Sequence, residues 1–346
     1  MQASIIGAGV AGLTCALELA ERGVAVEVLE RAASLGAGSC SWFAGGMLAP
    51  WCERESSDPL IARLGAESLT WWRERFAATV VNGTLVVAQP RDAAELVQFG
   101  RRTAHFEPVG RDAIAALEPD LAGRFERGLY FAQEGHLDPR AALTALAERL
   151  EALGVRIRFG VEVTAGNMPA GSMLVDCTGL AAAARLHDLR GVKGEMLLLR
   201  SKELALSRPV RVLHPRLPLY VVPRAQGHFM VGATMIESDE GAYISARSML
   251  ELLSAAYALH PCLGEAQIVE IGTGVRAAFP DNLPRLRREG RTLYVNGLYR
   301  HGFLLAPALA RRAADMMLHG SQFPEVMGKQ PSTEVEGRAI SPAAAF

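Results

Sequence analysis

A glycine-rich turn near the amino terminus constrains this chain more than any other feature. Ile5-Ile6 ends a short apolar strand, and Gly7-Ala8-Gly9-Val10-Ala11-Gly12 follows directly. Apolar residues then recur at helical spacing, and a second apolar run, Ala25-Val26-Glu27-Val28-Leu29, leads to Glu30. This order predicts a strand–helix–strand unit of a parallel sheet, with the helix beginning at the glycines.

The turn has the spacing of a dinucleotide-binding site. Gly7 permits the tight turn, Gly9 lets a pyrophosphate approach the backbone, and Gly12 allows close helix–strand packing. Unpaired N–H groups at the helix start favour phosphate, and Glu30 is placed to accept a hydrogen bond from a ribose hydroxyl. A glycine turn without a ligand is the alternative, but strand, helix and acid are all present. The motif does not choose between NAD and FAD.

Composition excludes several other classes of protein. The chain has 346 residues, 36 basic and 37 acidic, and a formal charge of −1, so general nucleic-acid binding is not expected. No apolar run reaches the roughly 20 residues of a spanning helix. No secretory signal is evident, so we expect a soluble cytoplasmic protein. The chain has five scattered cysteines without a CxxC pair, which predicts neither disulfides nor a metal site: Cys15, Cys40, Cys52, Cys177 and Cys262.

The remaining pattern predicts an α/β fold with two interleaved domains. A Rossmann-type domain with a parallel sheet is predicted from residues 1–82, 136–190 and 268–320. It includes a helix starting at Asp138-Pro139 and a strand over 155–163. Residues 83–135 and 191–267 predict an inserted, mostly antiparallel α+β domain that binds substrate. Residues 321–346 are expected to be a loosely structured tail.

The segment after Glu30 favours a flavin. Residues 36–50 are rich in small side chains, which give a large flat ligand access to the backbone, and Met47 could lie against an aromatic ring system. A surface loop is the alternative, but Trp42, Phe43 and Leu48 are too apolar for it to be preferred.

Several motifs in one order resemble the D-amino-acid oxidase superfamily of FAD enzymes, and within it the glycine oxidases of thiamine biosynthesis. The resemblance extends to about Gly320. The motifs are the glycine turn, Ser41 to Leu48, Gly135 to Arg140, Pro218 to Arg224, Val231 to Met235, Gly274-Val275-Arg276 and Leu298 to Pro307.

The resemblance implies noncovalently bound FAD and a set of residues that bind it. Val10, Ala11, Glu30 and Arg31 would serve the ADP half, and the Val163 backbone would meet the adenine. The full implied set is Gly7, Gly9, Val10, Ala11, Gly12, Glu30, Arg31, Cys40, Ser41, Gly45, Gly46, Met47, Val163, Leu298, Tyr299, His301, Gly302, Phe303 and Leu304.

Three residues are predicted to bind the substrate. Arg276 resembles the family's carboxylate-binding arginine, since a guanidinium matches a carboxylate in a bidentate pair. An ion pair with Glu270 is the alternative. Tyr220 could donate to the same carboxylate or be a core residue, and Arg300 matches a position that contacts the substrate. No general base is assigned.

The resemblance implies oxidative deamination of glycine, or another small amine, through an imine to glyoxylate. O2 would be reduced to H2O2, and the imine would pass to a thiazole synthase. A D-amino-acid dehydrogenase with another electron acceptor and a non-catalytic flavin module are the alternatives. No membrane partner is expected, and a homo-oligomer is left open. If the rings of Trp51 and Phe279 face the pocket, they would favour glycine over D-alanine; core packing is the alternative.

Overall fold

The computed structural model describes residues 1–164, 166–215 and 218–328. In chain order the strands are β1 (Gln2–Ile6), β2 (Ala25–Glu30), β3 (Met47–Leu48), β4 (Thr84–Ala88), β5 (Glu107–Gly110), β6 (Arg127–Phe131), β7 (Gly135–His136), β8 (Arg156–Phe159), β9 (Met173–Asp176), β10 (Arg190–Arg200), β11 (Val210–Leu213), β12 (Leu219–Arg224), β13 (His228–Gly232), β14 (Ile236–Glu237), β15 (Gln267–Ala278), β16 (Arg285–Glu289) and β17 (Thr292–Asn296). The α-helices are α1 (Val10–Glu21), α2 (Pro50–Arg54), α3 (Pro59–Arg75), α4 (Ala93–Arg102), α5 (Arg111–Leu117), α6 (Pro139–Ala152), α7 (Ala246–Leu259), α8 (Gly302–His319) and α9 (Pro324–Met327).

The glycine-rich turn joins two strands of a parallel sheet. Within the described residues this sheet has six strands in the order β16-β17-β9-β1-β2-β8, and only β16 runs antiparallel to its neighbour. The predicted strand–helix–strand unit and parallel sheet are confirmed. The strand predicted over 155–163 is shorter, since β8 ends at Phe159. Val163 therefore lies in the connection after β8.

A larger, mostly antiparallel sheet supplies the other half of the fold. Its order is β14-β10-β13-β12-β11-β4-β6-β5, with β15 on the free side of β10, and only β11 and β4 pair in parallel. The predicted combination of a parallel and an antiparallel sheet is therefore correct.

Sheet membership differs from the predicted domain boundary at one strand. β15 pairs with β10 along its length, from Gln267 to Ala278, whereas the boundary at residue 268 assigned it to the nucleotide domain. Alternation along a strand shows which side chains share a face but does not identify the neighbouring strand. The rest of the domain division stays a prediction.

The largest apolar core lies against the parallel sheet. Leu13 and Leu17 of α1 pack with Leu305 and Leu309 of α8, and all four side chains are buried. These residues follow the helical spacing that the sequence predicts. The core thereby fixes the start of both helices, and both helix starts lie at predicted ligand-binding segments.

The first part of the predicted tail is ordered. α9 buries Val326 in the core, and Glu325 lies 3.5 Å from Arg312 of α8. The prediction of a loose tail is therefore wrong for residues 321–328, while residues 329–346 lie outside the described part of the chain.

Membrane insertion finds no support among the helices. In the described ranges, every helix is too short or too polar to cross a bilayer.

Candidate active site

The glycine turn is held by the acid that follows it in sequence. Gly7 has a φ of +98°, and a Cβ atom at Gly12 would lie 1.9 Å from the carbonyl oxygen of Gly7. Glu30 accepts hydrogen bonds from the Ala8 N–H at 2.7 Å and the Ala32 N–H at 2.8 Å. This turn therefore requires glycine, and the Glu30 carboxylate holds it against the end of β2. The ribose contact of Glu30 stays a prediction.

The start of α1 keeps donors available for an anion. Gly9 is the N-cap and has no side chain to occupy the first N–H groups. Of these groups only the Val10 N–H is bound by a side chain among the described residues, since Ser41 Oγ accepts from it at 3.2 Å. Cys40 and Arg31 are both exposed. This arrangement fits a pyrophosphate at the helix start.

The small-residue segment takes a path that excludes side chains. Gly46 has a φ of +66°, and a Cβ there would lie 2.2 Å from the carbonyl oxygen of Leu137. A Cβ at Gly45 would lie 2.9 Å from the ring of Tyr220. Pairing of β3 with β7 holds this path in place.

One cavity brings the predicted flavin segment and the predicted substrate residues together. It lies between the small-residue segment, the antiparallel sheet and the start of α8. Its lining residues are Ala44, Gly45, Gly46, Met47, Glu53, Arg211, Pro218, Tyr220, Ala233, Met235, Arg276, Arg300, His301, Gly302, Phe303 and Leu304. Leu298 and Tyr299 precede this wall, and the residues of the glycine turn lie outside it.

Arg276 reaches the cavity without a carboxylate partner. Its Nη1 donates to the carbonyl oxygens of Lys193 at 3.3 Å and Thr234 at 3.2 Å. Across the described ranges, no carboxylate oxygen lies within 4.0 Å of it. Glu270, its alternative partner, is bound by Arg140 at 2.8 Å, so the alternative is wrong. The guanidinium therefore has donors left for a ligand.

Tyr220 stands beside Arg276 and the small-residue segment. Burial raises the pKa of its phenol, and the nearby Arg276 opposes that effect only in part. The hydroxyl is therefore protonated at neutral pH and can donate a hydrogen bond.

Arg300 is engaged by an acid that the sequence reasoning missed. Its Nη2 lies 2.8 Å from Glu53 and 2.7 Å from the Ser56 hydroxyl. His301 Nε2 lies 2.9 Å from the same Glu53 oxygen, and Arg211 lies 3.5 Å from the other oxygen. The guanidinium of Arg300 is thus tied to α2, and its predicted contact with substrate stays a prediction.

Glu53 is ionised at neutral pH. Burial alone would raise the pKa of Glu53, but Arg300, His301 and Arg211 together hold it well below its ordinary value. Burial lowers the pKa of His301 despite Glu53, so the imidazole is neutral at pH 7. Glu53 therefore balances charge in the cavity and does not accept a proton at neutral pH.

The sequence held little signal for the missed residues. Glu53 and Arg211 are single charged residues in ordinary segments. Met235, which also lines the cavity, is 48% exposed and lies 3.5 Å from Arg300 through its sulfur. Met235 lay within a motif used for the family resemblance but had no assigned role.

The hypothesis that the rings of Trp51 and Phe279 face the pocket is wrong. Phe279 is 1% exposed and packs with Leu186 and Tyr294. The Trp51 ring stacks on His105 at 3.9 Å between centroids. Neither residue lines the cavity, so the core-packing alternative holds for Phe279, and Trp51 faces a different loop.

The start of α8 completes a site that fits a flavin dinucleotide. Gly302, the first residue of the helix, lines the cavity, and the N-cap His301 makes no side-chain cap bond. Its Nδ1 is buried with no partner among the described residues. Free N–H groups at a helix start favour negative charge. The glycine turn, the side-chain-free segment and this helix start together suit FAD.

A sequence model of one enzyme family, described as FAD dependent oxidoreductase and abbreviated DAO, matches residues 2–316. The chain belongs to the FAD-dependent oxidoreductase family.

Three relatives show which members of this family the chain resembles in sequence or structure. A Rhizobium etli protein, assigned by name to thiamine biosynthesis as the oxidoreductase ThiO, is 56% identical over 94% of this chain and 99% of its own length. A bifunctional ThiO/ThiG protein of Synechocystis is 29% identical, and the match covers 94% of this chain and 53% of that protein. The crystal structure of glycine oxidase from Geobacillus kaustophilus has a TM-score of 0.78 at 25% identity, covering 93% of this chain and 95% of that one.

Proposed function

We propose that this oxidoreductase oxidises glycine, or another small primary or secondary amine, to an imine that water converts to glyoxylate. The observation that carries the proposal is the guanidinium of Arg276, which faces the flavin segment and has no carboxylate partner among the described residues. Similarity to ThiO of Rhizobium etli and to glycine oxidase of Geobacillus kaustophilus supports this substrate class.

The carboxylate of the substrate is bound by Arg276. Two backbone carbonyls hold one Nη atom, which orients the rest of the planar fork for a bidentate pair. Tyr220 adds a neutral hydroxyl donor. This clamp selects α-amino acids over simple amines.

The FAD group would be held by the residues of the glycine turn, Glu30, Ser41, the Gly45–Met47 segment and the start of α8. When bound, FAD would supply the hydride acceptor for the substrate Cα–H bond. The chain supplies binding and orientation: Arg276 and Tyr220 fix the carboxylate, and Glu53 keeps Arg300 from competing as a free cation. Because the pKa of Glu53 is held well below its ordinary value, Glu53 is a poor proton acceptor, and solvent takes the proton of the substrate ammonium.

The finer steps belong to the same proposal. We infer noncovalent FAD, O2 as the electron acceptor with release of H2O2, and action in the cytoplasm. The fusion of ThiO with ThiG in Synechocystis supports transfer of the imine to a thiazole synthase.

A titration tests the proposal. The purified protein should show flavin absorbance, lose it on anaerobic addition of glycine, and regain it in air with formation of H2O2. Sarcosine and D-alanine are titrated in parallel. Absence of flavin absorbance even after FAD is added would contradict the cofactor. Bleaching by D-alanine alone would contradict the substrate, and recovery only with a dye acceptor would identify a dehydrogenase.

A further inference from the structure

Glu134 is a fully buried carboxylate that caps a helix from a distant part of the chain. Its side chain is 0% exposed. Oε1 accepts the N–H groups of Trp51 at 2.9 Å and Cys52 at 2.7 Å, which belong to the first turn of α2. The local N-cap residue of α2, Ala49, has no side-chain acceptor. Glu134 therefore performs the role that an N-cap side chain performs in other helices.

The same helix presents Glu53 to the cavity. Glu53 directly follows the two capped residues and binds Arg300 at 2.8 Å and His301 at 2.9 Å. Both of those residues line the cavity. The direction of the Glu53 side chain therefore depends on the backbone that Glu134 holds.

The helix needs this anchor because it is short. α2 has five residues, and isolated helices of that length are unstable in water. The anchor itself is fixed. The Glu134 carbonyl accepts the Gly83 N–H at 3.0 Å, and the next two residues, Gly135 and His136, pair with β3. A buried carboxylate on a paired segment thus connects α2 to the flavin segment.

We infer that Glu134 is a positioning residue that acts through Glu53: it holds α2 so that Glu53 stays bound to Arg300 and His301 at the cavity wall. Only the kinetic test of this inference, which measures kcat/KM for glycine, rests on the proposed function. Glu134 is not among the residues proposed to bind the flavin or the substrate carboxylate.

A double-mutant cycle tests whether Glu134 acts through Glu53. We compare the parent, Glu134→Gln, Glu53→Gln and the double variant at pH 8. Glu134→Gln should lower kcat/KM for glycine by about tenfold in the parent, as expected for loss of charge-assisted hydrogen bonds. In the Glu53→Gln background it should change kcat/KM by less than about twofold, because coupled residues are not additive. An equal fall in both backgrounds would overturn the inference.

A matched variant separates positioning from general stability. Glu118 is 1% exposed and accepts the N–H groups of Ser207 and Arg208, each at 3.1 Å, but it does not line the cavity. Glu118→Gln should leave kcat/KM for glycine within about twofold of the parent. A tenfold loss in Glu118→Gln would show that any buried-carboxylate change has this effect and would overturn the inference.

Hydrogen exchange measures the cap without any turnover. Amides in a peptide covering residues 50–54 should exchange at least about fivefold faster in Glu134→Gln, because the amide oxygen that replaces the carboxylate is a weaker, uncharged cap, and at the parent rate in Glu118→Gln. Unchanged exchange in Glu134→Gln would overturn the inference. Should Glu134→Gln not fold, Glu134→Asp, which keeps the charge on a shorter side chain, is measured by the same criteria.

The two proposals fail differently. If the parent does not oxidise glycine, the proposed function is wrong. The four proteins are then compared by their dissociation constants for acetate, a carboxylate ligand, measured from the change in flavin absorbance. Additive effects of Glu134→Gln and Glu53→Gln on that constant would overturn the role of Glu134 independently of the reaction.

Discussion

Replacing Gly194 with alanine should displace the carboxylate clamp while leaving its charge in place. Gly194 pairs with Gly274 on β15, and its φ lies outside the left-handed region, so the backbone accepts alanine. The new Cβ would lie 2.1 Å from Nη2 and 2.2 Å from Cζ of Arg276. Nonbonded atoms of this kind prefer about 3.5 Å or more, so the guanidinium must move by roughly 1.5 Å.

The magnitude follows from the bond that is lost. Arg276 is the flexible end of a side chain, so its displacement costs the fold little. A misaligned fork loses a charge-assisted hydrogen bond to the substrate, worth about 1.5–3 kcal/mol. The KM for glycine should therefore rise by about 10- to 150-fold, with an unchanged flavin spectrum.

The assay combines kinetics with ligand binding. KM for glycine and the dissociation constant of acetate should rise together in Gly194→Ala, while the Tm changes by only a few degrees. Gly110→Ala is the control, since a Cβ there meets nothing within 4 Å. A Gly194→Ala enzyme with normal KM and normal acetate affinity would refute the placement of Arg276 as the clamp.

Other changes have equally specific outcomes. Arg276→Lys keeps the charge but loses the fork, so KM for glycine should rise by about tenfold or more at unchanged flavin absorbance; unchanged substrate dependence would assign Arg276 to structure. Phe279→Ala should lower the free energy of unfolding by about 3–5 kcal/mol without changing the ratio of kcat/KM for glycine and D-alanine, and a changed ratio would restore the ring to the pocket. Burial, with Arg224 and Arg208 nearby, lowers the pKa of His136 to about 4 from its ordinary 6.5. The unfolded chain therefore binds the extra proton, and the parent should lose up to about 3 kcal/mol relative to His136→Gln as the pH falls from about 6.5 to about 4. Denaturant titrations across this range check the point, and parallel curves would contradict it.

The parallel sheet and its ligand turn were predictable because their chemistry is local. Gly7, Gly12 and Glu30 lie within one strand–helix–strand unit, and the structure joins them through the short contacts that the spacing implies. Residues that bind one another within some thirty positions leave a pattern in the sequence.

The role of Glu53 in the cavity could not be predicted, because its contacts are with residues distant in sequence. Glu53 meets Arg300 and His301 far along the chain, and nothing near Glu53 indicates that pairing. Strand geometry excludes the Arg276–Glu270 alternative, but only once both residues are known to lie on the same strand. Six residues of extended chain separate their Cα atoms by about 20 Å, and the sequence did not show that both residues lie on one continuous strand.

The hypothesis that two aromatic rings face the pocket failed for a related reason. Trp51 and Phe279 follow ligand-binding motifs in sequence, but closeness along the chain does not determine which face a side chain takes. Phe279 lies just past the end of β15 and turns into the core under Arg287, 4.4 Å from its guanidinium.

The long pairing of β15 with β10 determines which residues of the cavity can be varied to change the substrate. The ladder runs from Arg190 opposite Ala278 to Arg200 opposite Gln267, so Arg276 is carried by a wall that cannot shift without breaking many hydrogen bonds. Glu53, on a five-residue helix, and the half-exposed Met235 also line the cavity and lie outside this ladder. A mutant library that varies positions 53 and 235 and retains Gly194 and Arg276 should diversify the accepted side chain or N-substituent while every active member still requires a carboxylate.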